Sequence, residues 1–174
     1  EEQRQLLART FGSCRFVYNW ALRYRTDSYR GGKTINYNTS SSALTLLKKQ
    51  EEVSWLNEVS CVPLQQELRH LQTAYRNFFE KRARYPHFKK KHGKQSAAFT
   101  RSAFKFTRKD GNRTLILAKI GKLHIRWTRG FKSDPTTVTI IKTPDGRYFA
   151  SLVLDETPKP MVKTKQAIGV DLGI

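Results

Sequence analysis

The residues at 168–174 place a single carboxylate inside an apolar run, Ile-Gly-Val-Asp-Leu-Gly-Ile. Such a run is typical of a buried β-strand, and this one would present Asp171 near its end. A buried carboxylate is costly unless it is paired or holds a cation. Asp171 is therefore a candidate catalytic residue and metal ligand. The alternative is an Asp that closes the strand and accepts backbone hydrogen bonds from the turn.

Other chemistry is poorly supported by the sequence. The four histidines show no ligand spacing with cysteines or carboxylates, and there is no Gly-rich phosphate loop or Ser or Cys nucleophile with an evident base. A catalytic magnesium pair needs several acidic ligands around two ions about 3.5–4 Å apart. On a nuclease interpretation, Asp171 alone leaves the 174 residues catalytically incomplete.

Charge is the dominant bulk property. The chain has 33 Lys and Arg against 14 Asp and Glu, a net charge of +19, and a pI near 10.3. Residues 81–133 hold 17 basic side chains and one acidic one. Because a solvated surface normally mixes both signs, this block predicts a surface that binds a polyanion.

The sequence excludes several other classes of protein. No run approaches the roughly 20 apolar residues that a membrane span needs, and no signal-peptide pattern is present. Cys14 and Cys61 lie far apart, and we expect free thiols in a reducing compartment. These features favour a cytoplasmic protein without a membrane partner.

Hydrophobic periodicity predicts the elements that position these groups. We expect helices over 3–29, from an Asn38 or Thr39 cap to Lys49, and from a Ser60 cap to a stop at Pro86. Between the second and third helices, Trp55 and Leu56 are expected to fill the core.

Beyond residue 95 the apolar period becomes two, which predicts short strands at 98–106, 115–117, 123–126, 137–141 and 148–154. Asp145-Gly146 between the last two is a strong hairpin signal. The fold class is therefore α+β, with three helices, a basic connector and a small β-domain.

Aromatic residues are interleaved with the basic block. Exposed rings can stack on nucleobases for about 1–3 kcal/mol each, whereas rings that alternate along a strand form a core. We expect Phe104 and Phe106, which share one strand face, to be core residues. Tyr85, Phe88 and Phe99 are the better candidates for contact with bases.

Several segments together resemble the TnpB (OrfB) proteins of bacterial insertion sequences, and the resemblance covers essentially the whole chain. The segments follow one another in this order: Phe11-Gly-Ser-Cys-Arg-Phe-Val-Tyr-Asn-Trp20, Tyr37-Asn-Thr-Ser-Ser-Ser-Ala-Leu-Thr45, Trp55-Leu56, Leu64-Gln65, Ala74-Tyr-Arg-Asn-Phe-Phe79, Tyr85-Pro-His-Phe-Lys-Lys-Lys91, Lys119-Ile-Gly121, Asp145-Gly146, Tyr148-Phe-Ala-Ser151 and Gly169-Val-Asp-Leu-Gly-Ile174.

The resemblance implies a transposon-encoded RNA-guided DNA endonuclease, similar to type V CRISPR effectors, of which this chain is the N-terminal portion. It implies a helical recognition domain (1–80), a basic connector (81–95), a β-barrel wedge domain of OB-like type (96–156), a linker (157–166) and the start of a RuvC-like, RNase H-like nuclease domain (167–174). Asp171 matches the first RuvC carboxylate, which would hold Mg²⁺ with carboxylates beyond residue 174. A zinc site would also lie beyond that residue.

The resemblance also implies partners, namely guide RNA and double-stranded target DNA. Positions that match the family's DNA-motif reader are Tyr37, Ser41, Gln65, Phe99 and Thr100, although Ser41 could instead cap a helix and Gln65 could face solvent. Expected contacts to nucleic-acid backbone and guide RNA are Arg82, Arg84, Lys89, Lys90, Lys91, Lys94, Arg101, Lys105, Arg108 and Lys109, with Tyr85 and Phe88 as stacking rings.

Two alternatives stay open at this point. One is a nuclease-dead relative that represses transcription by guided DNA binding. The other is a guide-independent DNA-binding accessory protein of transposition.

Overall fold

The computed structural model describes residues 1–109 and 111–157, so Asp171, most of the expected linker and the expected nuclease start lie outside the described residues. The described elements are α1 (Glu2–Arg30), α2 (Tyr37–Leu47), α3 (Cys61–Phe79), 3₁₀ turns at Glu51–Asn57 and Arg101–Ala103, and strands β1 (Gln95–Thr100), β2 (Phe104–Lys109), β3 (Asn112–Leu117), β4 (Gly121–Leu123), β5 (Pro135–Lys142) and β6 (Tyr148–Leu154).

Helix α1 follows the predicted periodicity. The buried face of α1 includes Leu7, Phe11, Val17 and Ala21 at the expected three- and four-residue spacing. Helix α2 begins earlier than predicted, because its cap is Asn36, whose side chain accepts a hydrogen bond from the Thr39 backbone N–H at 3.0 Å. Neither Asn38 nor Thr39 is the cap.

Helix α3 follows Ser60, as predicted, but ends at Phe79, well before Pro86. Lys81 adopts a left-handed backbone with φ 58°, and its N–H donates to the Phe78 carbonyl at 2.9 Å. The Arg82 N–H donates to the Asn77 carbonyl at 2.8 Å. These two bonds form a Schellman motif, which satisfies the last carbonyls and ends the helix without glycine or proline.

The segment before α3 matches the prediction in part. Leu56 is fully buried and packs in the core as expected. Trp55, in contrast, is 38% exposed, so it does not fill the core. Its ring instead makes an edge contact with Phe16 at 5.1 Å between centroids.

The strands form two antiparallel three-stranded sheets, in the orders β1-β5-β6 and β2-β3-β4. The predicted hairpin is present, with β5 and β6 joined at Asp145-Gly146 and Gly146 at φ +85°. The predicted strand over 98–106 is wrong, because the turn at Arg101–Ala103 divides it into β1 and β2, which belong to different sheets. Among the described strands the two sheets do not close into a barrel.

One hydrophobic core joins the helices to the sheets. Strand β1 packs against α1 and α3, and its residues Ala97, Ala98 and Phe99 are all buried. Leu115 of β3 and Val138 of β5 lie in the same core. The helices therefore provide a fixed surface against which the intervening connector can pack.

Candidate nucleic-acid interface

The basic connector, residues 81–95, is irregular until β1 begins at its last residue, yet it is held against the helices. The Tyr85 hydroxyl lies 2.8 Å from Thr26 Oγ1 and 3.1 Å from the Tyr75 hydroxyl. Pro86 beside it is buried. Burial raises the pKa of Tyr75 to about 12, with neighbouring Tyr85 adding to the effect. This end of the connector is thus anchored by a hydrogen-bonded tyrosine pair.

Two side-chain amides anchor the middle of the connector. Asn19 of α1 donates to the Lys89 carbonyl at 3.0 Å and accepts from the Lys89 N–H at 2.7 Å. Gln95 donates to the carbonyls of Lys91 at 2.9 Å and Gly93 at 3.0 Å, and accepts from Arg15 Nη1 at 2.9 Å. These bonds satisfy backbone groups that have no ladder partner.

An ion pair with a buried carboxylate completes the anchoring. Lys89 Nζ lies 2.5 Å from Oε2 of Glu67, which is 1% exposed, and 4.5 Å from the centroid of the Tyr18 ring. His70 Nδ1 approaches the other Glu67 oxygen at 3.6 Å. Burial raises the pKa values of the Cys14 thiol and the Tyr18 phenol, and the Glu67 carboxylate adds to both.

This geometry gives Lys89 an internal partner besides its expected contact with nucleic acid. Its side chain is 37% exposed, and its ammonium neutralises the buried Glu67 carboxylate, so Lys89 contributes less net positive charge to the surface than an unpaired lysine. The outward-facing residues of the connector differ from Lys89. Arg84, Lys90, Lys91 and Lys94 are exposed, and none of them forms an ion pair within the described part of the chain. Anchoring through the inward residues therefore presents a fixed row of outward cations.

Arg82 and Arg108 have partners of their own. Arg82 is exposed but pairs with Glu80. Arg108 donates to the carbonyls of Lys132 at 2.5 Å and Ser133 at 3.1 Å, and lies 3.5 Å from the Asp134 carboxylate. Arg108 thus holds the segment before β5 in place, in addition to any contact with nucleic acid.

The remaining cations of the expected set, Arg101, Lys105 and Lys109, are exposed around β2. Phe104 and Phe106 on the same strand are half-buried. Phe104 packs against the core, whereas Phe106 packs with Trp127 and Phe131 at 6.0 and 5.6 Å. Strand β2 therefore alternates the inward rings of Phe104 and Phe106 with outward Lys105 and Thr107, as its period of two predicts, while the Arg108 guanidinium lies over the Phe106 and Phe131 rings.

The expected DNA-motif residues lie partly together. The Arg69 guanidinium of α3 stacks over the Tyr37 ring of α2 at 4.6 Å. Ser41 lies one turn after Tyr37, and exposed Gln65 lies one turn before Arg69. The contact between Arg69 and Tyr37 therefore places Tyr37 and Ser41 of α2 beside Gln65 of α3, along neighbouring turns of two packed helices. Asn36, not Ser41, caps α2.

Phe99 must be removed from both sets in which it was expected. Its ring is fully buried, opposite Val138 in the β1–β5 ladder, so no base can reach it. Thr100, the next residue, is half-exposed, with its hydroxyl 3.3 Å from that of Ser102. The two stacking candidates also differ. Tyr85 packs edge-on against Tyr75 and Phe78, whereas Phe88 is 57% exposed and has no aromatic partner among the described residues.

Sequence reasoning missed the anchoring residues Asn19, Glu67 and Gln95. A signal for Glu67 was present, because it interrupts the apolar stripe of α3 between Leu64 and Leu71. A carboxylate in that position needs a buried cation. Arg69, which stacks on Tyr37, carried no local signal.

The described residues bring no three metal-ligating side chains together, so they offer no site that fits a catalytic metal. In the same residues, no helix has both the length and the apolar character to cross a bilayer.

Comparison of the sequence with known proteins relates the chain to several of them. Residues 1–34 match a helix-turn-helix domain of the OrfB IS605 type, although here that span contains the single long helix α1. The whole chain is 48% identical to a candidate RNA-guided DNA endonuclease of Streptomyces pristinaespiralis, covering 44% of that protein.

Two further relatives match. A protein of Escherichia coli K12 named as candidate RNA-guided DNA endonuclease InsQ is 32% identical over 99% of this chain and 42% of its own length. Virulence protein VsdF of Salmonella dublin is 33% identical over 53% of this chain and 87% of its own length. The chain thus spans less than half of the two endonuclease relatives. The matches to these two relatives extend along 99–100% of the chain, and its first 34 residues match the OrfB-type domain. The chain therefore belongs to the TnpB/OrfB family, as an N-terminal portion of it.

Proposed function

We propose that this chain is the nucleic-acid-binding portion of an RNA-guided DNA endonuclease, with guide RNA and target DNA as its partners. The observation that carries the proposal is the anchored connector. Its inward side chains are fixed on the helices, while Arg84, Lys90, Lys91 and Lys94 face outward. The names of the two endonuclease relatives support the same activity.

The physical reason is that an ordered row of cations binds a polyanion at a lower entropic cost than a flexible one. Each phosphate that a Lys or Arg neutralises releases a counterion. A guided complex needs this kind of contact, because base pairing supplies the sequence specificity and the protein grips shape and backbone. Lys105 and Lys109 on β2 extend the exposed basic surface.

We assign reading of a short DNA motif to Tyr37, Ser41, Gln65 and Thr100, with Arg69 fixing the Tyr37 ring. Gln can pair with adenine through two hydrogen bonds, and Ser or Thr hydroxyls can contact any base edge. Exposed Gln65, beside the Tyr37–Arg69 stack, supports this assignment. Phe99 has no part in it.

DNA cleavage belongs to the longer protein. Asp171 would be one of its magnesium ligands, together with carboxylates beyond residue 174, and the metal would activate water and stabilise charge on the phosphate. No step of that reaction is assigned to residues 1–109 and 111–157.

The test is to express the native protein that contains this chain together with its flanking genomic DNA, and to sequence the RNA that co-purifies after a high-salt wash. One discrete, structured RNA from the flanking locus is expected. Heterogeneous cellular RNA, or none, would favour the guide-independent accessory protein instead.

A cleavage assay then separates a nuclease from a repressor. With the guide bound, the native protein is expected to cut target DNA and the Asp171→Asn variant is expected to bind but not cut. Asp155→Asn, a matched carboxylate substitution outside the expected nuclease domain, should leave cleavage unchanged. Binding without cleavage by the native protein would instead identify a guided repressor.

A further inference from the structure

A groove beside α1 combines aromatic rings with arginines. Its volume is about 530 Å³, within the roughly 300–1,000 Å³ of small-molecule sites. The lining residues are Gly12, Arg15, Phe16, Asn19, Trp20 and Arg23 from α1, and Phe88 from the connector. No acidic residue lines it, so an anionic occupant meets arginines, rings and the Asn19 amide but no negative charge.

Helix geometry builds the α1 wall of the groove. Arg15, Asn19 and Arg23 follow at intervals of four, as do Phe16 and Trp20, so each set lies along one face. The two rings are fixed by packing. Trp20 stacks on Tyr24 at 5.6 Å with planes 5° apart, and Phe16 meets Trp55 at 5.1 Å.

The connector wall is fixed by the same anchoring that orders its cations. The Asn19 amide bonds to both backbone groups of Lys89, and this places the neighbouring Phe88 at the groove. Phe88 is 57% exposed, and no other described ring stacks on it. An exposed phenylalanine held rigidly beside two arginines has a free face for a planar ligand.

We propose that this groove binds one unpaired nucleobase, stacked on Phe88, with its flanking phosphates held by Arg15 and Arg23. The inference rests on the proposed function and adds a specific site for a nucleotide outside a duplex. The base of a duplex is already stacked on its neighbours and cannot enter. Arg15 uses one of its donors on Gln95 and keeps others, because a guanidinium has five N–H groups.

The test compares Phe88→Leu with Phe149→Leu, a matched loss of an exposed ring on β6 outside this groove. Each variant and the native protein are titrated with single-stranded RNA, single-stranded DNA, a DNA duplex and a single strand of abasic sites. Phe88→Leu is expected to weaken single-strand binding by about fivefold or more, the effect of losing one base stack, and to leave duplex and abasic binding unchanged. Phe149→Leu should match the native protein throughout, and Phe88→Trp should restore affinity.

The four ligands distinguish the possible outcomes. A loss confined to RNA assigns the site to the guide and a loss confined to DNA assigns it to a displaced target strand, and either supports the proposal. Equal losses of single-strand affinity in Phe88→Leu and Phe149→Leu would overturn the proposal. A loss of affinity in Phe88→Leu that persists with the abasic strand would also overturn it. In both of those cases the proposed function still stands, provided that the native protein binds nucleic acid. A native protein that binds none of the four ligands overturns both.

Discussion

The ammonium of Lys89 lies 2.5 Å from a carboxylate oxygen of Glu67, which is almost completely buried in the apolar face of α3. This pair joins a basic connector to the helical core at a position where sequence alone predicts a phosphate contact. It neutralises one cation of the connector and orders the others. We regard it as the link between the fold and the basic surface.

Loss of this pair should destabilise the fold. Glu67→Ala removes the buried carboxylate and leaves the Lys89 ammonium without its partner. Because Lys89 is partly exposed and can turn to water, no charge is left buried, and we expect a loss of about 1.5–3 kcal/mol, the contribution of a charged hydrogen bond. Urea unfolding monitored by circular dichroism measures the change.

Glu58→Ala is the matched control for that substitution. Its pair with Arg9 at 3.3 Å is more than half exposed on both sides, and such pairs contribute about 0–1 kcal/mol. Equal losses of unfolding free energy in the two variants would show that Glu67 contributes no more than a surface carboxylate.

The two cysteines should react at very different rates. Cys14 is buried and its pKa is raised, mainly by burial and further by Glu67, so little thiolate forms. Cys61, the first residue of α3, is exposed. With a thiol reagent we expect one fast-reacting group in the native protein and two in denaturant. Cys61→Ser should remove the fast phase, and two fast groups in native protein would contradict this packing.

The free energy of unfolding should fall at alkaline pH because the Tyr75 phenol ionises more readily in the unfolded chain than in the folded protein. Its pKa is about 12 in the folded protein, against about 10 in an unfolded chain. Between these values the unfolded chain loses the phenol proton and the native protein keeps it, so raising the pH favours unfolding by up to about 1.4 kcal/mol per pH unit. The contribution is fully present below about pH 10 and is lost as the pH approaches 12.

The measurement is the free energy of unfolding against pH for the native protein and Tyr75→Phe. The variant should show a shallower decline above about pH 10. Tyr29→Phe, which removes an exposed hydroxyl, should decline like the native protein. A decline in Tyr75→Phe as steep as that of the native protein would assign the pH dependence to other groups.

Phe99 should prove to be a core residue. Phe99→Ala leaves a cavity between β1, β5 and the helices, at a cost of about 3–5 kcal/mol of unfolding free energy. Phe88→Ala, which truncates an exposed ring, should change it by only about 0.5 kcal/mol. Denaturant midpoints compare the two. A Phe99→Ala protein of native stability that has lost only DNA binding would restore the reader role expected from sequence.

Local signals predicted much of the fold. The apolar stripes of α1 and α3 and the Asp145-Gly146 turn depend on neighbouring residues, and all three are present. The false strand over 98–106 shows where such signals fail. The carbonyl of Ala103 accepts from the Ala118 N–H at 2.9 Å, and β1 pairs with β5 some 40 residues later, so distant contacts set the break.

The basic composition of the site was predictable from the sequence, but the orientation of its individual side chains was not. A run of lysines indicates a basic surface, but it does not reveal which one turns inward to a carboxylate 22 residues earlier. Likewise, Ala97, Ala98 and Phe99 are buried in succession, which is typical of a strand covered on both faces, but so short a run does not reveal this from sequence. Only packing against α1 and α3 distinguishes these outcomes.

The central claim is that the outward cations of the anchored connector bind phosphate, and the salt dependence of binding tests it most directly. The affinity for duplex DNA is measured over a series of salt concentrations for the native protein, for Lys90→Gln with Lys91→Gln, and for Lys48→Gln with Lys49→Gln as an equal loss of charge at the end of α2. The slope of log affinity against log salt should become shallower by about 1.8 in the connector variant, about 0.9 for each phosphate that the protein no longer neutralises, and stay unchanged in the control. Identical slopes in all three proteins, or a native affinity that does not change with salt, would contradict the claim.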